Sequence, residues 1–384
     1  MANSEGKTQK FASIFGDNIV TPRHADVEEQ FQYNINTKTL TDSSANGGTV
    51  TQANSMAVLS SGTNTNGQAI LASKKIIRYR PGFEGYALFT ALFETGGVAG
   101  AKQFAGPNTT LDGYYVGYSG TDFVVGRRIG GTDTEVTREN WNGDERAKSP
   151  ANLIDFTKLN IFRITWGWLG SAPITFELML SNGEFIELHT FETAGQTTAP
   201  HSNNPMLPIR FDITKTSGAT NIIVKTASWN GGMMGDDDGA EDRFFTGHVD
   251  TGAVSTQQVL FSLENQATFQ SKANRVEVEL VLVNASTDGT KSVELAIYKN
   301  LAITSPSWTN IDATNSVMRI DTAGTVTPAA ANLEFEFGLA KVDSVLLNSE
   351  DLGLILEPGE TYTITGASAS NNDIHLAIRW KEHF

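Results

Sequence analysis

One stretch of the chain combines the residue types of a carbohydrate site. Trp166 and Trp168 alternate with polar residues there, and they are followed by Glu177, Glu184 and Glu187. A sandwich glycosidase uses two carboxylates roughly 5–10 Å apart beside aromatic rings. However, successive side chains of a strand point to opposite faces, and the alternation places both tryptophans opposite Glu177. We therefore interpret the tryptophans as core residues and the glutamates as solvated.

The histidines show no spacing that suggests a metal or catalytic site. No two of them stand at the HExxH spacing of zinc enzymes. An isolated histidine with an ordinary pKa is tolerated on a wet strand face, so we expect hydrogen-bonded or surface roles. The six residues are His24, His189, His201, His248, His375 and His383.

A run of acidic residues, Asp236–Asp242, has the composition of a cation-binding loop. Calcium takes six or more oxygen ligands, and the EF-hand loop spaces them alternately with a glycine at its sixth position. The run does not match that spacing. We interpret it as a solvated acidic linker, and a weak calcium site is the alternative.

The common signatures of phosphate and nucleophile sites are missing from the sequence. There is no GxxxxGK[ST], no strand-borne GxGxxG and no GxSxG, and the glycine cluster Gly126–Gly131 opens no helical pattern. The chain has no cysteine, which excludes disulfides and thiolate ligands. We therefore predict no enzyme activity, no cofactor, and no catalytic, cofactor-binding or metal-binding residues.

Charge and hydropathy narrow the classes of partner. The 384 residues include 43 acidic and 28 basic side chains, for a net charge of −15. A chain this acidic repels phosphate backbones, so we expect no nucleic-acid partner. No run of about 18 apolar residues is present, so we expect no membrane span. The polar N-terminus shows no signal peptide, and with the missing cysteines it predicts folding in a reducing cytosol.

The elements that must position these residues are strands. Phe162, Ile164 and Trp166 alternate with polar residues, and the same period of two recurs along most of the chain. Ser119-Gly120, Asn182-Gly183 and Asp288-Gly289 separate such runs and predict hairpins. Many short strands with turn-forming residues between them indicate an all-β chain of antiparallel, jelly-roll-like β-sandwiches.

Breaks in the alternation predict two domains, an N-terminal arm before them and a linker between them. Residues 1–26 lack periodicity and predict an arm that is either disordered or ordered by docking on a neighbour. Phe11, Ile14 and Phe15 are isolated apolar anchors in it, which favours a docking arm. Residues 27–230 form the first sandwich. Residues 231–243 are rich in glycine and aspartate, which predicts a linker. Residues 244–384 form the second sandwich.

Several motifs between residues 70 and 230 combine turn-forming residues with aromatic residues. They are Ile77–Gly82, Tyr114–Phe123 (YYVGYSGTDF), Trp141–Asp144 (WNGD), Asp155–Ile164 (DFTKLNIFRI), Trp168–Phe176 (WLGSAPITF), His189 and Asn203–Pro208. These motifs resemble those of a family of structural proteins in the virions of tailed bacteriophages. Two further motifs near the C-terminus, Leu356–Thr361 and Ile378–Glu382, resemble another recurrent phage pattern.

This resemblance implies a non-enzymatic virion component with concanavalin- or laminin-G-like and jelly-roll sandwiches. It would decorate or cement the capsid, or form an appendage of the head or tail, after assembly in the host cytoplasm. Its partners would be other capsid or tail proteins, further copies of the chain, for example in a trimer, and a host-surface glycan. The alternative is a carbohydrate-binding or carbohydrate-cleaving sandwich, which exposed tryptophans would favour.

Overall fold

The computed structural model describes residues 23–148, 154–235, 242–254, 257–348 and 353–384. The chain divides into two compact units, residues 1–237 and 238–384. In both units the strand pairs of the described residues run antiparallel. The prediction of an all-β chain built from antiparallel, jelly-roll-like sandwiches is confirmed. No helix in the described ranges is both long and apolar enough to cross a membrane.

The strands of the first unit are short and separated by turns. A 3-10 turn at Arg138–Asn140 and a short helix, α1 (Glu145–Lys148), interrupt them. The strands are β1 (Arg23–Gln30), β2 (Leu40–Asp42), β3 (Thr49–Ala53), β4 (Met56–Ser60), β5 (Gln68–Ser73), β6 (Glu84–Ala91), β7 (Ala101–Pro107), β8 (Gly113–Ser119), β9 (Asp122–Ile129), β10 (Thr132–Thr137), β11 (Asn160–Gly167), β12 (Ile174–Met179), β13 (Phe185–Phe191), β14 (Ile209–Lys215), β15 (Ile223–Thr226) and β16 (Ser228–Met234).

The second unit is also built from strands, with one 3-10 turn at Ala330–Asn332. Its strands are β17 (Asp242–Val254), β18 (Gln258–Asn265), β19 (Thr268–Phe269), β20 (Lys272–Ala273), β21 (Glu277–Thr287), β22 (Val293–Lys299), β23 (Ile303–Thr304), β24 (Thr309–Asn310), β25 (Met318–Asp321), β26 (Thr325–Val326), β27 (Leu333–Leu339), β28 (Asp343–Asn348), β29 (Ile355–Leu356), β30 (Thr361–Ser368) and β31 (Asn372–His383).

Two large sheets of the first unit enclose its core. One has the order β1-β16-β6-β11-β12-β13, the other β10-β9-β8-β7-β14-β5-β2, and β15-β4-β3 form a smaller sheet. The inward-facing rings of the two large sheets touch: Phe89 of β6 meets Phe211 of β14 edge-on, with ring centroids 5.7 Å apart. The alternating aromatic residues therefore face inward and fill the space between the sheets.

The second unit repeats this arrangement with smaller side chains. Its five-stranded sheet contains β17-β31-β21-β28, with β29 also pairing β21, and its six-stranded sheet has the order β24-β25-β18-β30-β22-β27. Trp380 and Ile378 of β31 are fully buried, as is Phe261 of β18. These residues belong to one apolar cluster, so both sheets contribute to a single core.

The predicted turns were right for two hairpins and wrong for a third. Asn182-Gly183 joins β12 to β13 and Ser119-Gly120 joins β8 to β9, each within one sheet. Asp288-Gly289 instead joins β21 to β22, which belong to different sheets. A Cβ at Gly289 would lie 2.0 Å from the Asn372 side chain, so this turn is shaped by a close tertiary approach.

The first sandwich begins earlier than the predicted boundary at residue 27. β1 starts at Arg23 and pairs with β16, so the last four residues of the predicted arm are strand. A register shift between Ala25 and Val27 breaks the alternation, and Asp26 there accepts a hydrogen bond from the Arg78 backbone N–H over 3.0 Å. A bulge hides the period of two, which is why the pattern missed these residues. Residues 1–22 lie outside the described residues.

The predicted linker, residues 231–243, is also shorter than expected. Gly231 and Gly232 are interior residues of β16, which continues to Met234, and β17 begins at Asp242. A Cβ at Gly232 would lie 1.8 Å from the His24 carbonyl oxygen of the neighbouring strand. Glycine is needed there for close backbone approach rather than for flexibility.

The packing of Trp166 predicts a sensitive glycine. A Cβ at Gly85, on the strand beside it, would lie 2.5 Å from the indole ring, and Gly85 has no left-handed backbone to complicate the change. We expect Gly85→Ala to lower the free energy of unfolding of the first unit by roughly 1–3 kcal/mol through overpacking. Gly338→Ala, in β27 of the second unit, is the control: its nearest neighbour lies at 3.8 Å, and it should leave the unfolding transition of the first unit unchanged. Equal denaturation midpoints for both variants would contradict this packing.

Candidate functional site

Three tryptophans of the first unit lie in the core, including Trp166 of the suggested carbohydrate site. Trp166 is completely buried, and Trp141 and Trp229 are 1% and 3% exposed. Glu177 lies on the opposite face of the sheet, where Arg163 donates to its two oxygens over 2.6 and 2.9 Å. The opposition of tryptophan and glutamate that the alternation predicts is therefore confirmed for Trp166.

Trp168 departs from this pattern because it stands at the turn after β11. It is half-buried, and its ring meets Tyr79 edge-on with centroids 5.5 Å apart. Its indole N–H donates to the Ser202 carbonyl over 3.1 Å. Trp168 thus holds two loops together and is not part of an open aromatic platform.

The glutamates of this stretch are engaged with other side chains. Glu177 and Glu187 face each other across β12 and β13, and the Thr190 hydroxyl donates to Glu187 over 3.0 Å. Glu184 pairs with Arg146, with an N–O distance of 2.9 Å. The structure does not bring these carboxylates to the buried tryptophans, so this stretch does not form the site that its residue types suggested.

Two histidines of the first unit are buried. His201 lies between the Tyr114 hydroxyl, 2.9 Å from Nδ1, and the Gly167 carbonyl, 3.1 Å from Nε2. His189 accepts a hydrogen bond at Nδ1 from the backbone N–H of Asn142 over 3.3 Å. Burial lowers the pKa of His189 to about 4 and also lowers the pKa of His201. Both side chains are therefore neutral structural residues near pH 7.

The other histidines also have hydrogen-bonded or surface positions, as expected. His375 Nδ1 lies 2.9 Å from Asp250, and His383 Nδ1 lies 2.8 Å from Asp242. The remaining two are exposed: His24 and His248.

The acidic run Asp236–Asp242 falls largely outside the described residues. Only Asp242 is described, and it pairs with Lys381 at 3.3 Å and His383 at 2.8 Å. In the described part of the chain, no three acidic or histidine side chains are grouped in a way that could hold a metal ion. The calcium alternative for residues 236–241 is therefore not addressed by the described residues.

A second group of charged and aromatic residues lies on the outer face of the seven-stranded sheet. Lys102 of β7 bonds to Asp133 and Glu135 of β10 over 2.9 Å each. Two strands separate β7 from β10, and neighbouring strands are about 4.8 Å apart. Direct contact over that span requires the sheet to curve toward these side chains. We call the group the concave-face cluster: Lys102, Phe104, Tyr115, Arg128, Asp133, Glu135, Arg210 and Asp212.

Two aromatic rings form the floor of the concave-face cluster. Phe104 and Tyr115 stack with centroids 4.0 Å apart, and both are at most 1% exposed. Gly126 makes room for the Tyr115 ring, because a Cβ there would lie 2.4 Å from it. Lys102 and Arg128 cover the rings, with the Arg128 guanidinium carbon 5.3 Å from the Tyr115 centroid. The rings are therefore closed off from a ligand that would stack on them.

Two carboxyl groups of the cluster, Asp133 and Asp212, have shifted pKa values. Burial alone would raise the pKa of Asp133, but hydrogen bonds from Arg128 and Lys102 outweigh it and hold that pKa below its usual range. Burial raises the pKa of Asp212, against the opposing charge of Arg210, which lies 3.1 Å away. The two carboxyl groups on the same concave face therefore have pKa values that are shifted in opposite directions.

The sequence contained a weak signal for this cluster. Lys102 and Phe104 alternate on β7, and Asp133 and Glu135 alternate on β10, so each pair shares a strand face. That pattern does not show that β7 and β10 curve toward each other, so the sequence alone does not predict the cluster.

Comparisons with known proteins find solved structures that this chain is similar to, among them the three that follow. No protein-family model and no curated protein matches the sequence. A glycosyl hydrolase family protein from Mycobacterium fortuitum is 12% identical, covering 54% of this chain and 99% of its own, with a TM-score of 0.38. A glycosyl hydrolase family 16 protein from Mycobacterium smegmatis is 11% identical, covering 54% and 100%, with a TM-score of 0.39.

The third likeness is to a lectin. Lectin I-B4 from Griffonia simplicifolia, in its metal-free form, is 11% identical, covering 54% of this chain and 99% of its own, with a TM-score of 0.32. At these identities and scores, none of the three carries an argument about what this chain binds or does.

The buried histidines predict a loss of stability in acid. An unfolded histidine has a pKa near 6.5, whereas burial depresses the pKa of folded His189 to about 4. Between these values the unfolded chain binds the extra proton, so the contribution is complete above pH 6.5 and lost as the pH falls toward 4. Glutamine can accept the Asn142 hydrogen bond without titrating. We expect His189→Gln to reduce the slope of unfolding free energy against pH by up to about 1.4 kcal/mol per pH unit.

The slope is measured by urea denaturation of the first unit at a series of pH values across this window. His24→Gln, at an exposed position, is the control for the effect of a His-to-Gln substitution on this slope. An unchanged slope in His189→Gln would mean that His189 already carries its proton in the folded unit.

Proposed function

We propose that this chain is a non-enzymatic structural component on the exterior of a tailed-phage virion. It would act as a capsid decoration or cement protein, or as an appendage of the head or tail. The observation that carries the proposal is the engagement of the side chains that could have formed a carbohydrate-processing site. Trp141, Trp166 and Trp229 are packed in the core, and Trp168 is held against Tyr79 and Ser202. The carboxylates of the concave face are paired with Lys102, Arg128 and Arg210.

The motifs that resemble virion proteins have structural roles, which supports this proposal. Trp141 donates its indole N–H to the Val136 carbonyl over 3.0 Å. Asp155 accepts hydrogen bonds from the backbone and hydroxyl of Thr157 over 2.9 and 2.6 Å and so shapes the turn before β11. Residues that build turns and anchor loops maintain a fold, and a resemblance in them fits a shared architecture rather than a shared active site.

Attachment through the N-terminal segment completes the proposal. Phe11, Ile14 and Phe15 are apolar residues in an otherwise polar stretch, and ordering them on a neighbour would bury apolar surface that water otherwise contacts. The neighbour would be another capsid or tail protein, and the chain itself would assemble into a homo-oligomer such as a trimer. The whole would be assembled in the host cytoplasm.

This proposal predicts a truncation that separates folding from attachment. Because β1 begins at Arg23, deletion of residues 1–22 should leave the first unit folded and should abolish incorporation into particles. Incorporation is measured by complementing a deletion phage and quantifying the protein in purified particles. The double change Phe11→Ser and Phe15→Ser should reproduce the loss. Tyr33→Ser is the control, since that ring is 81% exposed on the folded body.

Two results would count against the proposal. Full incorporation of the truncated chain would remove the role of the N-terminal segment. Particles that show no missing density in reconstructions after deletion of the whole gene would overturn the virion assignment itself.

A carbohydrate-cleaving or carbohydrate-binding sandwich is the second candidate, and one observation favours it. Environments that shift the pKa values of two carboxyl groups in opposite directions are typical of acid and base pairs, and Asp212 and Asp133 on the concave face are shifted in this way. Against it, the rings beneath them are covered, and Arg128 and Lys102 occupy Asp133.

The two candidates differ in a simple hydrolysis assay. We expect the unaltered protein to release no reducing ends from soluble neutral β-glucans, because the carboxylates are paired with cations. The second candidate requires release that falls by about 10²-fold or more in Asp212→Asn. Asp122→Asn is the control, as an exposed aspartate on the same sheet. Hydrolysis that Asp212→Asn removes and Asp122→Asn retains would overturn the non-enzymatic proposal.

A further inference from the structure

The second unit contains a cavity of about 590 Å³ that is open to solvent and lined by strands of both of its sheets. One wall is β17, the edge strand of the five-stranded sheet, and the second wall is the start of β18 in the six-stranded sheet. Thr322–Val326, the segment that follows β25, forms the third wall. A volume of this size lies within the range of small-molecule sites, about 300–1,000 Å³.

The third wall is held in place from beneath by a buried carboxylate. Asp321 is 1% exposed and accepts hydrogen bonds from the backbone N–H groups of Ser307, Ala323 and Gly324 over 2.6, 3.3 and 2.9 Å. Gly324 fits closely, because a Cβ there would lie 2.4 Å from the Ile303 side chain. The wall is therefore pre-formed and does not need a ligand to shape it.

The remaining polar groups of the cavity are mostly uncharged amides and hydroxyls. Gln257 is positioned by hydrogen bonds from its amide nitrogen to the Tyr298 and Thr365 oxygens over 3.2 and 3.3 Å. The one charged lining residue among those described is Asp250, and His375 lies 2.9 Å from it. The lining residues are Val249, Asp250, Thr251, Gln257, Gln258, Val259, Leu260, Thr322, Ala323, Gly324, Thr325 and Val326.

This lining selects among ligand classes. The described lining holds no lysine or arginine, so phosphate, sulfate and other anions would lack a partner, and the net charge of −15 would repel them. It holds no aromatic ring on which a nucleobase could stack. Amides and hydroxyls both donate and accept hydrogen bonds, which suits a ligand that is rich in hydroxyl groups.

We infer that this cavity is a binding site for an uncharged, hydroxyl-rich ligand of the saccharide class. The inference goes beyond the proposed structural role and concerns a different unit from the concave-face cluster. It places a glycan contact in the C-terminal unit, where Gln258 offers an amide group and Asp250 accepts hydrogen bonds from hydroxyl groups. The Gln257 amide nitrogen is used within the unit, so Gln257 offers its amide oxygen as an acceptor. No chemistry on the ligand is involved.

The test uses the full chain and saturation-transfer NMR with named sugars. Maltotriose, cellotriose and chitotriose are the neutral probes, and sialyllactose is the anionic one. We expect transfer to at least one neutral trisaccharide and none to sialyllactose. Ala323→Trp should fill the cavity and weaken binding at least tenfold, and Gln258→Ala should weaken it by removing an amide. Ala329→Trp and Gln196→Ala are the matched controls, both at exposed positions outside the lining, and should bind as the unaltered chain does.

The possible outcomes distinguish the cavity site from a sugar site on the concave face and from the virion assignment. Transfer to no neutral probe, or binding that Ala323→Trp leaves unchanged, overturns the cavity site. Binding that disappears in Asp212→Asn and persists in Ala323→Trp moves the sugar site to the concave face and also overturns it. Incorporation of Ala323→Trp into particles is measured in parallel, so failure of the cavity and failure of the virion assignment give different results.

Discussion

The contact between aromatic rings of two facing sheets constrains the whole first unit. Phe123, from the seven-stranded sheet, stacks on Phe156 with centroids 3.5 Å apart and lies 6.2 Å from Phe162 of the opposite sheet. Such rings bury large apolar areas, and each pair adds about 0.5–1.5 kcal/mol beyond that burial. Side chains on these inner faces are needed for packing, and a ligand that displaced them would open the core.

Charged groups of both units are held by specific partners. On the concave face, partly buried charges would be costly without partners, and the contacts of Lys102 with Asp133 and Glu135 supply them. In the second unit, Asp321 is buried but uses its oxygens to anchor a loop. The ion pairs of Lys102 close the concave face, whereas the hydrogen bonds of Asp321 hold a cavity wall in place. A ligand is therefore expected in the second unit rather than on the concave face.

Local sequence signals predicted the fold well where only neighbouring residues decide it. Asn182-Gly183 forms a hairpin because Gly183 adopts the positive φ of +84° that such a turn requires. Asp288-Gly289 carries the same signal but crosses between sheets, because the partners of β21 and β22 come from distant parts of the chain. The concave-face cluster was missed for the same reason, since its members lie on strands that only the folded sheet brings together.

The period of two by itself determined that this chain is all-β and that Trp166 and Glu177 point to opposite faces, because alternation is a local property of an extended backbone. The role of each face was decided only by the tertiary structure. Long-range packing determines which glycines, such as Gly232, admit a neighbouring strand and which charges meet across a curved sheet. It also forms the cavity beside β17, because Thr322–Val326 reaches β17 and β18 from a distant part of the chain.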